Sequence, residues 1–296
     1  MVNIKKSRLI DSAKSEVKGF AEMYAKLEQK VILGGLSPST LTNYGRCIAK
    51  ISLYFHQPAI ELEAEQVDGY LQFLLTSTTQ PSKSYFKHTV YGLRYLYRLY
   101  DREDRIIKLP SLKQSNKLPV VFSINECKQL FTSGRILKHR VLLSLIYSAG
   151  LRTQEVRNLK WSDMDFDRKR IHIRQTKYNK DRYVPLSEKI IPGILKYKAA
   201  YSPKLFVFNG SKHGEPLSSN GVQWAMKETL KASGINKVAT VHTLRHSFAT
   251  HLLEMGMDLD TLRSVLGHAR MTTTMIYLHV ARIGKSEVFS PFDRIY

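Results

Sequence analysis

The stretch His242-Thr243-Leu244-Arg245-His246-Ser247-Phe248-Ala249-Thr250-His251-Leu252-Leu253 decides how the C-terminal part of the chain folds. Leu244, Phe248 and Leu252 recur every four residues, the spacing that places apolar side chains on one face of a helix. His242 and Arg245 are three residues apart, so the same helix presents both of them on a neighbouring face. We therefore expect a core-forming helix that also carries an imidazole and a guanidinium.

A second group of polar residues follows this predicted helix. Leu266-Gly267-His268 comes next, and Tyr277 lies further along the chain. A glycine suits the position just after a helix, where the backbone turns to the left-handed conformation. We therefore expect a helix over 258–266, with His268 projecting from the turn, and a last helix from about residue 272 that presents Tyr277.

An arginine upstream complements the one in the first stretch. Gly150-Leu151-Arg152-Thr153-Gln154-Glu155 places Arg152 just after the expected end of another helix. A guanidinium stays charged and binds two phosphate oxygens at once. Removing one preorganised donor from a comparable site costs about 10²–10³ in rate. Arg152 and Arg245 are therefore candidates for binding a phosphodiester and stabilising the charge that builds up on it.

Tyr277 is the candidate nucleophile for such a phosphodiester. A phenol has an ordinary pKa of about 10, so it needs a base or a strongly cationic site to attack at neutral pH. His242 and His268 are candidates for that proton and for hydrogen bonds to the phosphate. The leaving sugar oxygen needs a general acid, for which Lys177 is the first candidate and Lys180 the alternative.

The charge balance points to a polyanionic partner. The chain has 296 residues and a formal net charge of +21, from 46 Lys and Arg and 25 Asp and Glu. Residues 111–296 carry 30 of these basic and 14 of these acidic residues, so most of the excess lies there. Such a surplus causes self-repulsion unless a polyanion neutralises it. Nucleic acid is the expected partner, with a merely basic soluble protein as the alternative.

The composition also bears on compartment and class. An apolar content of 43% is typical of a globular protein, and no apolar run reaches the roughly 18 residues of a membrane span. The basic N-terminus has no apolar segment behind it, so no secretory signal is visible. Cys47 and Cys127 lie far apart, outside any metal-ligand spacing. We expect no membrane association, no metal site and a reducing, cytoplasmic location.

The first 100 residues have helical spacing without β-alternation. Ser37 is the expected N-cap of one helix, with Pro38 in its first turn. The apolar stripe of that helix consists of Leu41, Tyr44, Ile48, Ile51 and Phe55. Further helices are expected over 63–75 and 85–100. A helical DNA-binding domain is thus predicted over 15–105, after a flexible N-terminus at 1–14.

Charged residues and prolines interrupt this pattern over 101–119. Proline removes a backbone donor and disfavours helix at the residue before it, so we predict a linker in this stretch, with bounds 106–120. Ser123-Ile124-Asn125-Glu126 has the pattern of a capping box. The second domain is therefore predicted over 121–283, followed by a C-terminal tail at 284–296.

The second domain is predicted to be mostly helical with a small sheet. Ile171-His172-Ile173-Arg174 alternates apolar and polar residues, and Tyr183-Val184-Pro185-Leu186 is its expected partner strand, joined through 176–181. Helices are expected to end near Gly150 and to start from Ser187 and Ser218. The fold class is therefore mainly α, with a small antiparallel sheet in an otherwise helical second domain.

Taken together, these segments resemble the tyrosine recombinases, the phage integrase and Xer family. The similarity is dense over Val241–Val280, and Ala149-Gly150-Leu151-Arg152 is similar to the family's first arginine box. Thr176–Leu186 resembles its catalytic hairpin, and the helices at 37–100 resemble its SAM-like core-binding domain. The resemblance covers nearly the whole chain from about residue 15.

The resemblance implies a C-shaped clamp around double-stranded DNA, and recombination at a specific site. Strand exchange would proceed through a Holliday junction in a tetramer. No metal, nucleotide or other cofactor is implied, because a phosphotyrosine conserves the energy of the broken bond. The residues after Tyr277 would include an arm that docks on a neighbouring protomer.

The resemblance also assigns a role to each candidate site residue. Tyr277 would attack and form a 3′-phosphotyrosine, Lys177 would be the general acid, and His242 would assist proton transfer. The scissile phosphate would be bound by Arg152, Arg245 and His268.

The C-terminal end carries a second resemblance. Val288-Phe289-Ser290-Pro291-Phe292-Asp293 is similar to the closing segment of integron integrases. The chain has no room for the extra helix that those enzymes insert before the His-x-x-Arg box. Integration or excision of a mobile element is therefore the expected role.

Alternatives remain open at this point. A type IB topoisomerase-like enzyme would nick and reseal DNA without exchanging partners, and a non-catalytic relative would only bind its site. The non-catalytic relative is disfavoured because every catalytic position is filled. His246 and His251 are expected to support the fold, and we leave both out of the catalytic set. Support of the phosphate pocket is the alternative role for His246.

Overall fold

A computed structural model of the chain describes residues 8–77, 83–110, 118–174, 181–211 and 214–281. The chain divides into two units, Met1–Ser115 and Asn116–Tyr296. Within the described ranges, no helix is both long and apolar enough to cross a membrane.

The described part of the first unit is helical. Its helices are α1 (Arg8–Glu16), α2 (Phe20–Leu33), α3 (Pro38–Phe55), α4 (Ala64–Thr76), α5 (Lys83–Leu99) and α6 (Glu103–Lys108). Helix α3 packs against α1, α2 and α5, and the buried side chains of these helices form one core. The predicted all-helical character of this region is confirmed.

Helix α3 begins where the sequence predicts. The Ser37 hydroxyl accepts a hydrogen bond from the Thr40 backbone N–H at 3.2 Å, and Pro38 occupies the first turn. These two residues satisfy or remove backbone donors that would otherwise be unpaired at a helix start. Leu41 and Ile48 of the predicted stripe are buried in the core.

The N-terminal prediction needs a correction. Residues 8–14 were expected to belong to a flexible terminus, but they form most of α1. Ile10 and Ala13 are buried in the core of the first unit. The helix is therefore held by tertiary packing, which a segment of only nine residues does not reveal by itself.

The linker prediction is wrong over residues 106–110. Helix α6 extends into this stretch as far as Lys108, and Leu109 is buried in the core of the first unit. Arg105 Nη2 donates to Glu63 Oε2 at 2.6 Å, and Arg94 Nη2 donates to the Pro110 carbonyl at 2.8 Å. A charged run that has the composition of a linker is thus fixed by partners far away in the sequence.

The second unit combines helices with one sheet. Its elements are α7 (Ile124–Ser133), α8 (Leu137–Ala149), α9 (Thr153–Asn158), β1 (Met164–Asp165), β2 (Arg170–Ile173), β3 (Arg182–Pro185), α10 (Ile191–Tyr201), α11 (Ser219–Ser233), α12 (Val241–Glu254), α13 (Leu259–Leu266) and α14 (Met271–Met275). Short 3-10 turns lie at Trp161–Asp163, Glu188–Ile190 and Ile276–His279. The predicted fold class, mainly α with a small antiparallel sheet, is confirmed.

Helix α8 runs through the core of this unit. Leu142, Leu143, Leu145 and Ile146 are all fully buried, although they point in different directions around the helix. A helix that is apolar on several sides is stable only when it is surrounded by other elements. Helix α8 accordingly packs against α10, α11 and α12.

The two predicted strands pair with each other as expected, and each begins one residue earlier than predicted. Strand β2 pairs antiparallel with both β1 and β3, in the order β1-β2-β3. Ile171 lies opposite Val184, and both are buried, which places one face of the sheet on the core. His172 lies opposite Tyr183 on the other face, with the two rings stacked at 4.8 Å.

Candidate active site

Two glycines end the helices that precede Arg152 and His268. Gly150 ends α8 in the left-handed conformation, with φ of 59°, and Arg152 follows as the N-cap of α9. A Cβ atom on Gly150 would lie 2.4 Å from Cδ1 of Phe248, so only glycine lets the end of α8 approach α12 this closely. Gly267 ends α13 in the same conformation, with φ of 63°, and His268 follows it.

Arg245 connects these two turns from α12. Its Nη1 donates to the Gly150 carbonyl at 2.5 Å, and its Nη2 donates to the Leu266 carbonyl at 2.6 Å. Only 3% of Arg245 is exposed. Burial and the charge of Arg152 lower the pKa of Arg245 to about 9, which still leaves the guanidinium charged at neutral pH. The fold thus holds a buried cation at the place where two helix ends meet.

Glu155 is the buried anion of the same cluster. Its Oε1 accepts from Arg152 Nη1 at 2.8 Å and from Arg182 Nη1 at 2.9 Å. Its Oε2 accepts from the Arg152 backbone N–H at 2.8 Å and from Arg182 Nη2 at 2.9 Å, and Arg245 Nη1 lies 3.8 Å away. Burial alone would raise the pKa of Glu155, but the hydrogen bonds and charges of Arg182 and Arg152 outweigh it and lower the pKa to about 2.

The cluster therefore carries excess positive charge. Arg152, Arg182 and Arg245 surround the single carboxylate of Glu155. Arg152 is the most accessible of the three, with 30% of its side chain exposed, and its Nη2 donates to the Gly267 carbonyl at 3.0 Å. Buried charges are stable only when they are paired. An anion bound beside Arg152 and Arg245 would supply the pairing that Glu155 alone leaves incomplete.

His268 lies next to this positive cluster as a neutral ring. Its Nε2 is 3.1 Å from Arg245 Nη2, and its Nδ1 is 3.0 Å from the Thr274 hydroxyl. A guanidinium can only donate, so Nε2 accepts and the ring proton resides on Nδ1, which donates to Thr274. Burial, together with the charges of Arg245 and Arg152, lowers the pKa of His268 to about 3.

Tyr277 lies on the 3-10 turn that follows α14, packed against His268 and α12. Its ring is nearly parallel to the His268 ring, with an angle of 11° and 6.4 Å between centroids. Its hydroxyl is 3.0 Å from Nδ1 of His246. Only 1% of the residue is exposed, and burial raises the pKa of the phenol, although the charges of Arg245 and Arg152 act in the opposite direction.

The structure thus brings together four of the six predicted residues, namely Arg152, Arg245, His268 and Tyr277. His242 lies on α12 one turn before His246, with 6.1 Å between the two ring centroids, and is exposed. Among the described contacts of Tyr277, its hydroxyl forms a hydrogen bond with Nδ1 of His246 and not with His242. Lys177 and the alternative Lys180 lie outside the described residues.

Three residues that the sequence analysis did not assign to the site contact its members in the structure. They are Glu155, Arg182 and His246. Glu155 was part of the quoted arginine segment, but nothing local indicates its burial. His246 carried a usable signal, because it follows His242 by four residues and so shares its helix face. In the described part of the chain, no three His, Cys, Asp or Glu side chains lie close enough together to hold a metal ion.

Comparison with known proteins places this arrangement in a family. The phage integrase family model matches residues 102–282, which include every residue of the cluster. The chain belongs to the phage integrase family. The resemblance to tyrosine recombinases predicted from the sequence is confirmed, and with it the expectation of a DNA-recombining enzyme.

Individual relatives agree with this membership. A tyrosine recombinase of Thermosipho africanus is 33% identical over 259 residues, which is 83% of this chain and 90% of that protein. The crystal structure of XerH site-specific recombinase bound to a palindromic difH substrate, a post-cleavage complex, matches with a TM-score of 0.70 at 22% identity, covering 93% of this chain and 90% of that one.

A lambda integrase tetramer bound to a Holliday junction matches with a TM-score of 0.69 at 18% identity, covering 90% of this chain and 80% of that one. At these identities the two structures establish a common fold. The similarity to integron integrases concerns residues 288–293, outside the described residues, and stays a prediction.

Proposed function

We propose that this tyrosine recombinase cuts and rejoins duplex DNA at a specific target site, with Tyr277 as the nucleophile. The observation that carries the proposal is the contact series Arg245–His268–Tyr277, in which His268 bonds to Arg245 at 3.1 Å and stacks on Tyr277. A phosphate bound at the arginines would lie beside the phenol. Attack by the phenol oxygen would join it to phosphorus as a 3′-phosphotyrosine and release the 5′ oxygen of the next sugar.

Arg152 and Arg245 would bind the scissile phosphate. Charge grows on the phosphate oxygens during the displacement, and preorganised guanidinium groups stabilise that charge most strongly where water is excluded. The hydrogen bonds of Arg245 to the Gly150 and Leu266 carbonyls support a preorganised site. His268 would contribute a further hydrogen bond once the negative phosphate offsets the arginine charges that keep it neutral.

The remaining predicted roles concern protons. Lys177 would protonate the leaving 5′ oxygen, which is the function expected of the lysine on the connection between β2 and β3. His242 would assist proton transfer from its exposed position on α12. Both assignments stay proposals that rest on the family resemblance.

The biological role is likewise a proposal that rests on the family resemblance. The first unit would act as the core-binding domain, the enzyme would assemble as a tetramer on DNA, and residues 284–296 would dock on a neighbouring protomer. The lambda integrase tetramer on a Holliday junction supports that assembly. Integration or excision of a mobile element is the proposed process. Two free buried cysteines, Cys47 and Cys127, support a reducing cytoplasmic location.

The test uses nicked duplexes taken from the DNA that flanks the gene. A nick beside the cleavage position lets the short cleaved fragment diffuse away, so that a covalent protein–DNA adduct accumulates. We expect a denaturation-resistant adduct that is absent with Tyr277→Phe. Tyr147→Phe is the matched control, because it removes another hydroxyl that bonds to a histidine of α12, His251, at 2.9 Å. Tight binding of these duplexes without any adduct would contradict the proposal.

A further inference from the structure

His246 forms a hydrogen bond with the hydroxyl of the proposed nucleophile, although the sequence analysis left it out of the catalytic set. Its Nδ1 lies 3.0 Å from the Tyr277 hydroxyl, and the two ring centroids are 5.7 Å apart. The contact joins α12 to the 3-10 turn that carries the phenol, 31 residues further along the chain. A proton acceptor must lie within about 2.6–3.2 Å of the proton donor, and this distance meets that requirement.

We propose that His246 is the catalytic residue that takes the proton of Tyr277 during cleavage and returns it during religation. The inference rests on the proposed function of Tyr277 as nucleophile. In the step, the O–H bond of the phenol breaks and its proton passes to Nδ1 of His246. The phenol oxygen forms its bond to phosphorus while the bond from phosphorus to the 5′ oxygen breaks, and that oxygen takes a proton from Lys177. Religation reverses each transfer.

The two other imidazoles of the site are less suited to this role. Both nitrogens of His268 have partners, since Nε2 accepts from Arg245 and Nδ1 donates to Thr274. His242 is exposed, and its described ring contact is with His246 and not with the phenol. Its position, with 6.1 Å between the ring centroids, suits a group that exchanges protons between His246 and solvent.

Burial and the neighbouring charges keep the His246 ring neutral, which is the form that can accept a proton. Its neighbours are His242 and Arg245 on α12, His268 after α13 and Tyr277 on the 3-10 turn. Burial, followed by the effects of His242 and Arg245, lowers the pKa of His246 to about 4. The ring is therefore neutral at pH 7. A bound phosphodiester adds negative charge that offsets Arg245, so it would strengthen His246 as a base just when the phenol must lose its proton.

The test measures adduct formation on the nicked duplex as a function of pH, with wild type and His246→Asn. Asparagine can keep a hydrogen bond to the phenol but cannot take its proton. We expect the wild-type rate to vary little between about pH 6 and pH 8, and the variant to be about 10²–10⁴ slower at pH 7. The variant rate should then rise about tenfold per pH unit, because phenolate must form by equilibrium with the solvent.

A second substrate separates the two proton transfers. Sulfur in place of the leaving 5′ oxygen departs without being protonated, so it should restore adduct formation by Lys177→Ala but not by His246→Asn. His251→Asn is the matched structural control. It removes a histidine of the same helix whose Nδ1 also bonds to a tyrosine hydroxyl, that of Tyr147. Any loss it causes should be the same at every pH.

Each contrary result has a distinct meaning. A His246→Asn rate that is lowered equally at every pH would show that His246 only supports the structure, and would overturn the inference. Restoration of His246→Asn by the sulfur substrate would also overturn it, since His246 would then act on the leaving group. If Tyr277→Phe formed as much covalent adduct as the wild type, the proposed function would be overturned, and this inference with it.

Discussion

Arg182 donates to both carboxylate oxygens of Glu155, with Nη1 and Nη2 each at 2.9 Å. Both side chains are more than nine-tenths buried. Arg182 Nε also donates to the Val265 carbonyl at 2.7 Å. One arginine of β3 thus links the start of α9, where Arg152 lies, to the last turn of α13, which precedes His268. The sheet and the arginines proposed to bind the phosphate are parts of one ion-pair network.

Loss of this pair should destabilise the second unit. Arg182→Met keeps the length of the side chain but removes its charge, and breaking a buried pair typically costs about 3–5 kcal/mol. Arg170→Met is the control, because Arg170 pairs with Asp165 at 3.2 Å where both side chains are about one third exposed. That loss should stay below about 1 kcal/mol. Both tryptophans, Trp161 and Trp224, lie in this unit, so fluorescence in urea reports its unfolding. Equal losses in the two variants would refute the expectation.

Gly267→Ala should cost more than its backbone conformation alone explains. A left-handed backbone costs a residue with a Cβ about 1–2 kcal/mol. At Gly267 the new atom would also lie 3.1 Å from Cδ and Nη1 of Arg182, and would push that side chain away from Glu155. Gly234→Ala is the control, since φ there is 68° and nothing lies within 4 Å. Gly267→Ala should lower the unfolding free energy by at least about 1 kcal/mol more than Gly234→Ala does. A loss no greater than that of the control would exclude the clash.

Stability should fall as the solution is acidified below about pH 6.5. His246 and His268 stay neutral in the folded protein down to pKa values of about 4 and about 3, whereas the unfolded chain binds these protons near pH 6.5. The unfolded state therefore binds more protons in this window, and each histidine lowers the unfolding free energy by about 1 kcal/mol per pH unit. Urea titrations at pH 7, 6 and 5 measure the slope, which His268→Asn should reduce. A flat profile from pH 7 to pH 5 would contradict the two lowered pKa values.

DNA affinity should depend steeply on salt. Phosphate contacts by Lys and Arg release counterions, so an interface with several such contacts loses about 10³–10⁵ in affinity between 50 and 200 mM salt. The net charge of +21 makes an interface of this kind the expected one. Fluorescence anisotropy with a labelled target duplex measures the dependence. An affinity that hardly changes over this range would mean that charge contributes little to binding.

The parts of the fold that sequence predicted correctly depend on neighbours along the chain. Ser123 and Glu126 form the expected capping box at the start of α7. Gly150 and Gly267 end their helices in the left-handed conformation that glycine allows. Each of these features is decided by a few adjacent residues, so their identities and spacing are sufficient to predict them.

The parts that sequence did not predict depend on partners distant along the chain. Helix α6 is held by an ion pair between Arg105 and Glu63, 42 residues apart. The same holds in the site, where His246 meets Tyr277 across 31 residues. His242 and His268 were the candidates for the proton of the phenol, but the 3-10 turn meets α12 at His246, one helical turn after His242. No local pattern determines which of two imidazoles on one helix face a returning segment will reach.

Tyr277, of which 1% is exposed, is concealed in the unbound enzyme. A phosphorus atom reaches the phenol oxygen only after some of the atoms that cover it move aside, so the molecules competent to react are a subset of the population. The observed cleavage rate is then the chemical rate multiplied by the fraction uncovered. A duplex that favours the uncovered form is cut faster even when it is bound no more tightly. Unrelated DNA attracted by the charge of the protein would meet a proposed nucleophile that is out of reach.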